Sequence, residues 1–320
     1  MDFHLLSAAE ARGDKRVSDE SLALGYAVGL FGWFLLGGVF VAGKAGSAEM
    51  PPWMFVSVRL FIATVVLLPL VRHHFKDMRA FLPKFGLRAL IIGAIGLGLT
   101  QGLVFVALRY TTAVNSGIVF AICPMITLIL AHTILREDLG PLQIIGSIVA
   151  FAGIIVIAVK GSFASLLALD IGIGDLLVLV AALCFSIYTV MLKRSQFKLD
   201  RMALLTILMT GGFLLSLPLT IWEVTSGEHE QIGWTGVIAM AYIAIPGGAL
   251  MYLMINWSID ILGASRAGAL LYSQMVFTAF LAWLILGESI EWYHFVGAGL
   301  VVVGIVVISR HRAAASAAGR

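Results

Sequence analysis

Charge is scarce in this chain. Only 12% of its 320 residues are Asp, Glu, Lys or Arg, whereas 60% are apolar; a soluble domain carries about a quarter charged residues and under about half apolar ones. A water-soluble protein is therefore excluded. Cysteine is nearly absent as well. Cys123 and Cys184, the only two, both lie inside apolar runs, which leaves them as small buried side chains and gives no disulfide framework. No H-E-x-x-H and no Ser/His or Asp/Asp set occurs, and Gly96-x-Gly98 lacks the third glycine of a nucleotide fingerprint, so the usual marks of a membrane enzyme are missing. Acidic residues avoid the middle third of every apolar run: Glu137, Asp175, Asp260 and Glu288 stand at the ends. A buried carboxylate relay of the kind used by proton-driven pumps has no counterpart here. The first twenty residues lack a basic segment leading into a short apolar stretch and cleavage site, and read as a polar tail.

Long apolar runs are what the chain has in abundance. Stretches of about 18 to 24 residues suffice to cross a hydrocarbon core as a helix, and they recur near 23–43, 53–71, 87–108, 112–134, 142–160, 174–192, 202–222, 234–256, 264–286 and 292–309. The expectation is an all-α integral membrane protein of ten transmembrane helices, with short connections except over 72–86 and 223–233. Lysine and arginine set the orientation, because cytoplasmic loops hold an excess of them. With the N-terminus inside, Arg12, Lys15, Arg16, Arg72, Lys76, Arg79, Lys84, Arg88, Arg136, Lys193, Arg194, Lys198, Arg201, Arg266, Arg310, Arg312 and Arg320 are inner, and only Lys44, Arg109 and Lys160 are outer. Both termini are then cytoplasmic and the 223–233 connection, rich in glutamate, faces out. The net charge of +3 follows from these loop bases and calls for no nucleic-acid partner.

The chain also matches itself. At an offset of 149, Gly25 pairs with Gly174, Lys44 with Lys193 and Pro69 with Pro218; at 151, Ala113, Gly117, Thr127, Glu137, Gly146 and Gly153 pair with Ala264, Gly268, Thr278, Glu288, Gly297 and Gly304. Each half holds five helices, an odd number, so the second half enters the membrane from the opposite side. Such inverted repeats are a known way to build alternating access around a midplane site. The expected organisation is a cytoplasmic tail over 1–21, a first repeat over 22–160, a linker over 161–173, an inverted second repeat over 174–309 and a cytoplasmic tail over 310–320.

The stretch from Ala107 through Leu108, Arg109, Tyr110, Thr111 and Thr112 to Ala113, followed by Pro124, Glu137, Gly146 and Gly153, resembles the EamA-type half-repeat of the drug/metabolite transporter superfamily, as does Arg59-Leu60-Phe61. The second half resembles it through Ala264, Gly268, Glu288, Gly297 and Gly304. Met275 stands where the second copy often has proline, and Phe34 follows Trp33 where glycine is common. The resemblance implies ten helices around a central cavity lined mainly by helices 1, 3, 4, 6, 8 and 9, and export of amino acids or related metabolites as a frequent activity.

Among candidate site residues, Arg59 is the one base well inside a span. Its side chain either reaches out to the interface or turns into a cavity to hold a substrate carboxylate. Polar and aromatic side chains concentrate in the helices expected to line the cavity: Trp33, Phe34, Gln101, Asn115, Tyr188, Tyr252, Asn256, Tyr272 and Gln274. Each alone reads equally as helix–helix glue, but together they suit an apolar, aromatic pocket with a few orienting groups. Pro124 and Pro246-Gly247-Gly248 interrupt helices 4 and 8, either as bending points whose freed carbonyls hold an ammonium group or as close-packing sites. Glu137 and Glu288, just before helices 5 and 10, read as acids capping those helix starts. A cavity without midplane acids suits no strong cation, and one arginine suits no phosphate dianion. These residues suit a secondary transporter of neutral or zwitterionic solutes, and the resemblance adds the expectation that it is an exporter of amino acids or related metabolites. It is expected in the inner membrane as a multi-pass monomer, with no cofactor and no metal and with only solute and lipid bilayer as partners. A channel or non-transporting scaffold, and less so a membrane enzyme, are the competing classes.

Overall fold

The computed structural model describes residues 19–120, 122–136, 141–158, 172–226, 233–262, 270 and 273–318, and these hold helices and no strand. The helices are α1 (Asp19–Gly46), α2 (Pro52–Leu70), α3 (Arg72–Ala107), α4 (Ala113–Leu135), α5 (Pro141–Ala158), α6 (Ile173–Ser195), α7 (Arg201–Thr225), α8 (Trp234–Leu262), α9 (Ser273–Leu286) and α10 (Trp292–Ala318). Among the described residues α1 to α4 and α6 to α8 contain stretches long and apolar enough to cross a membrane, while α5, α9 and α10 contain shorter apolar helices.

One expected connection is helical instead. Residues 72–86 form a 3-10 turn (Arg72–His74), an α-helical stretch (Phe75–Phe81) and a π turn (Leu82–Gly86) that lead straight into the membrane-length part of α3. Phe75, Met78, Phe81, Leu82 and Phe85 recur at helical spacing and give the segment an apolar face despite its bases. Phe81 packs edge-on against Phe197 at 5.2 Å, in the connection from α6 to α7. Three further interruptions carry the glycines and prolines of the sequence. α3 has a π stretch over Ala94–Leu99 and α8 one over Ile245–Leu250, which contains Pro246, Gly247 and Gly248. α4 breaks between Phe120 and Cys123 and restarts with Pro124 in its first turn, where a missing N–H costs nothing.

The two halves pack in a reciprocal pattern. α1 contacts α8 and α9, and its repeat counterpart α6 contacts α3 and α4; α2 contacts α8, and its counterpart α7 contacts α3; α2 with α7, α4 with α9 and α5 with α10 pair with their own counterparts. Every one of these contacts recurs when each helix is exchanged for the one five places away, as a pseudo-twofold axis between repeats requires. Glycine permits a close crossing of α3 and α7. A Cβ at Gly93 would strike the backbone carbonyl of Leu208 and one at Gly211 that of Leu90, so α3 and α7 touch backbone to backbone, the small-residue packing that membrane helices use in place of hydrophobic attraction.

Candidate substrate cavity

A cavity of about 240 Å³ lies between the halves, close to the lower end of the ~300–1,000 Å³ range of small-molecule pockets. Its wall draws on α1 (Trp33, Leu36, Val39, Phe40), α3 (Gly96, Leu97, Thr100, Gln101, Val104, Phe105), α4 (Gly117, Phe120, Cys123), α6 (Phe185, Tyr188), α8 (Met251, Tyr252, Ile255) and α9 (Gln274, Met275), with Arg59 of α2 and Leu205 of α7 added. α5 and α10 contribute none of these residues. No Asp or Glu is among them.

One side of the wall is aromatic. Phe40, Phe120, Phe185 and Tyr188 follow one another at centroid separations of 6.1, 5.7 and 5.5 Å. Gly96 allows this arrangement, because a Cβ there would overlap the Tyr188 ring. The wall also holds a polar cluster next to the interrupted stretches of α3 and α8. Arg59, 2% exposed, donates through Nη1 to Gln101 Oε1 at 2.9 Å and through Nη2 to the Gly247 carbonyl at 2.6 Å. Its Cζ lies 5.7 Å over the Tyr252 ring, within cation–π range. Gln101 Nε2 donates in turn to Tyr252 Oη at 3.3 Å. A carbonyl of the π stretch in α8 thus accepts from Arg59, where the sequence offered either carbonyls for an ammonium group or close packing of small residues.

The EamA-like transporter family model matches this chain twice, over residues 23–159 and 172–310. The chain belongs to that family. It is a multi-pass membrane protein with an internal repeat. Among curated relatives it is similar to the uncharacterized transporter YyaM of Bacillus subtilis, 26% identical over 275 residues that cover 85% of this chain and 89% of YyaM. It also resembles an uncharacterized transporter of Archaeoglobus fulgidus, 25% identical over 303 residues, covering 93% of this chain and 88% of the relative. A solved crystal structure shares the fold with a TM-score of 0.59 at 16% identity, covering 90% of this chain and 97% of its own.

In this EamA-like chain the candidate residues separate into groups. Trp33, Arg59, Gln101, Tyr188, Tyr252 and Gln274 line the cavity. Arg59 does not extend to the interface. Phe34 does not line the cavity; it packs edge-on against Phe277 of α9 at 5.5 Å. Asn115 also leaves the wall, its Oδ1 3.1 Å from Nε2 of His294 on α10; His294 Nδ1 takes the Glu291 amide at 3.0 Å, which leaves Nε2 as the donor. Asn256 turns back on its own helix, donating through Nδ2 to the Tyr252 carbonyl at 2.8 Å. Tyr272 and Glu137 lie outside the described residues.

Glu288 does not cap α10. Its carboxylate accepts the amides of Ala113 and Val114 at the start of α4, in the other repeat. The same end of the molecule holds two similar contacts: Glu223 Oε2 accepts the Trp53 amide of α2 at 2.9 Å, and Glu49 Oε2 accepts the Gly236 amide of α8 at 2.8 Å. Three helices that begin at this end therefore meet a carboxylate from another segment, where charge and helix dipole attract. Phe40, Phe105, Phe120, Phe185 and Cys123 were not singled out from sequence, because phenylalanine and cysteine in an apolar helix carry no mark that separates a cavity wall from a lipid face.

Proposed function

We propose that this chain is a secondary transporter that carries amino acids or related neutral or zwitterionic metabolites outward across the cytoplasmic membrane. Ten helices in two inverted repeats, with both termini inside, would alternate access to the cavity between them. The observation that carries the reading is the composition of the cavity wall: α1, α3 and α4 line it together with their repeat counterparts α6, α8 and α9, so exchanging the conformations of the two halves would move its opening from one side to the other. An apolar, aromatic wall with one polar cluster suits a small solute held by a few orienting groups.

Purified protein in proteoliposomes, loaded with unlabelled amino acid and given the labelled form outside, tests this. Counterflow that concentrates label transiently inside is the expected result. A channel equilibrates label without overshoot, and that outcome, or no flux of any amino acid, overturns the proposal.

A further inference from the structure

We propose that Arg59, held by Gln101 and the Gly247 carbonyl, is the anion-binding centre of the cavity, so that a carboxylate is obligatory in its solutes and an ammonium group dispensable. The inference rests on the transport reading for the purpose of the cavity and adds the chemistry of recognition.

Among the described residues Arg59 is a buried cation without a counter-ion. Its guanidinium carries five N–H donors; Gln101 Oε1 and the Gly247 carbonyl take one each, and Nε has no partner among the described residues. Among the described residues no ion pair includes Arg59, and the cavity wall contains no acid. A buried charge is costly unless an opposite charge and hydrogen bonds meet it, and a solute carboxylate would supply both in the paired geometry that guanidinium favours.

Tyr252 beside Arg59 is a donor too. Tyr252 Oη accepts from Gln101 Nε2, so its own hydrogen has no acceptor among the described residues. An ammonium ion needs acceptors instead. The neighbouring Gln101 Oε1 and Gly247 carbonyl already serve Arg59, the Tyr252 ring lies beneath the guanidinium, and a second cation at that place would be repelled. The body of the solute then rests on the Phe120, Phe185 and Tyr188 rings, where apolar contact replaces whatever an ammonium gains from an aromatic face.

A structural explanation of Arg59 meets an internal control. The alignment that pairs Pro69 with Pro218 puts Leu208 at the place of Arg59 in the second repeat. Leu208 is equally buried, and α7 packs there on Gly93 of α3 without a charge. Joining these helices does not require a guanidinium. Only one repeat carries it, as expected of a group that meets an asymmetric solute.

Calorimetry on the purified full chain would compare L-leucine and L-phenylalanine, their des-amino acids 4-methylpentanoate and 3-phenylpropanoate, and the amines 3-methylbutylamine and 2-phenylethylamine, with counterflow of the same six in proteoliposomes. The des-amino acids should bind as tightly as the amino acids or more so, and the amines at least about tenfold more weakly. Arg59→Gln should abolish the preference for acid over amine, and Arg59→Lys should retain part of it. Amines that bind as well as amino acids, des-amino acids at least about tenfold weaker than amino acids, no binding of any carboxylate, or a preference unchanged in Arg59→Gln would each overturn the assignment. If that variant does not fold, the six-compound comparison on the unaltered protein decides alone. Acids that bind but show no counterflow would count against transport and leave the carboxylate site standing.

Discussion

The carboxylate of Glu288 accepts the backbone N–H groups of Ala113 and Val114 at 2.9 and 3.0 Å, tying the connection between α9 and α10 to the first turn of α4 across 175 positions of sequence. Two charge-assisted bonds to free helix-start amides stabilise far more than a surface ion pair does. Glu288→Ala should cost about 1–2 kcal/mol, seen as a lower Tm in detergent, while Glu288→Gln, which keeps an acceptor oxygen, should lose less. Equal losses in the two variants would show that the acceptor is not what matters.

Alternating access requires the contacts of Glu288, Glu49 and Glu223 to break in the state open at their end of the molecule. Cys123 lines the cavity and serves as a native reporter. In a Cys184→Ala background, Glu288→Ala should raise the rate at which an impermeant thiol reagent applied from that end modifies Cys123, by at least about threefold if the tie contributes ~0.7 kcal/mol or more to closure. An unchanged rate would remove Glu288 from the closure.

A methyl group at Gly96 has no room, because it meets the Tyr188 ring. Gly96→Ala should push that ring into the cavity, cost about 1–3 kcal/mol of stability and reduce amino-acid counterflow at least about tenfold. Retained transport would mean that Tyr188 moves away from the solute.

Three amides that looked alike in sequence now divide. Gln274→Ala should reduce counterflow, since the side chain lines the cavity. Asn256→Ala should change it little, because that amide bonds its own helix, and Asn115→Ala should act on stability through His294, losing about 0.5–1.5 kcal/mol. Transport measured beside a thermal melt for each variant separates the three, and a common loss of transport would refute the division.

Orientation is tested by single cysteines at Ser195 and Ser226, at the ends of α6 and α7. An impermeant reagent outside the cell should label Ser226→Cys and spare Ser195→Cys. Labelling of both from outside would contradict the proposed topology.

Much of the architecture was legible because a membrane enforces local rules. A backbone in lipid must satisfy its own hydrogen bonds, so spans announce themselves as long apolar runs, and duplication leaves matched glycines, prolines and lysines at offsets of 149 and 151. The helical segment over 72–86 was missed because its bases outweighed the spacing of Phe75, Met78, Phe81, Leu82 and Phe85. Phe34, Asn115 and Asn256 were misplaced because a helix apolar on every side gives no sign of which face meets the cavity.

The sequence by itself determined a helical membrane protein, its duplication and the helices that supply polar residues, since all three depend on composition and period along the chain. Only the tertiary structure decided that Arg59 turns inward to Gln101 and Gly247, that Glu288 serves α4, and that a row of aromatic rings lines the same cavity. Those outcomes depend on which helix faces meet. Among membrane helices, small residues and polar partners distant in sequence determine that, and hydropathy carries no record of it.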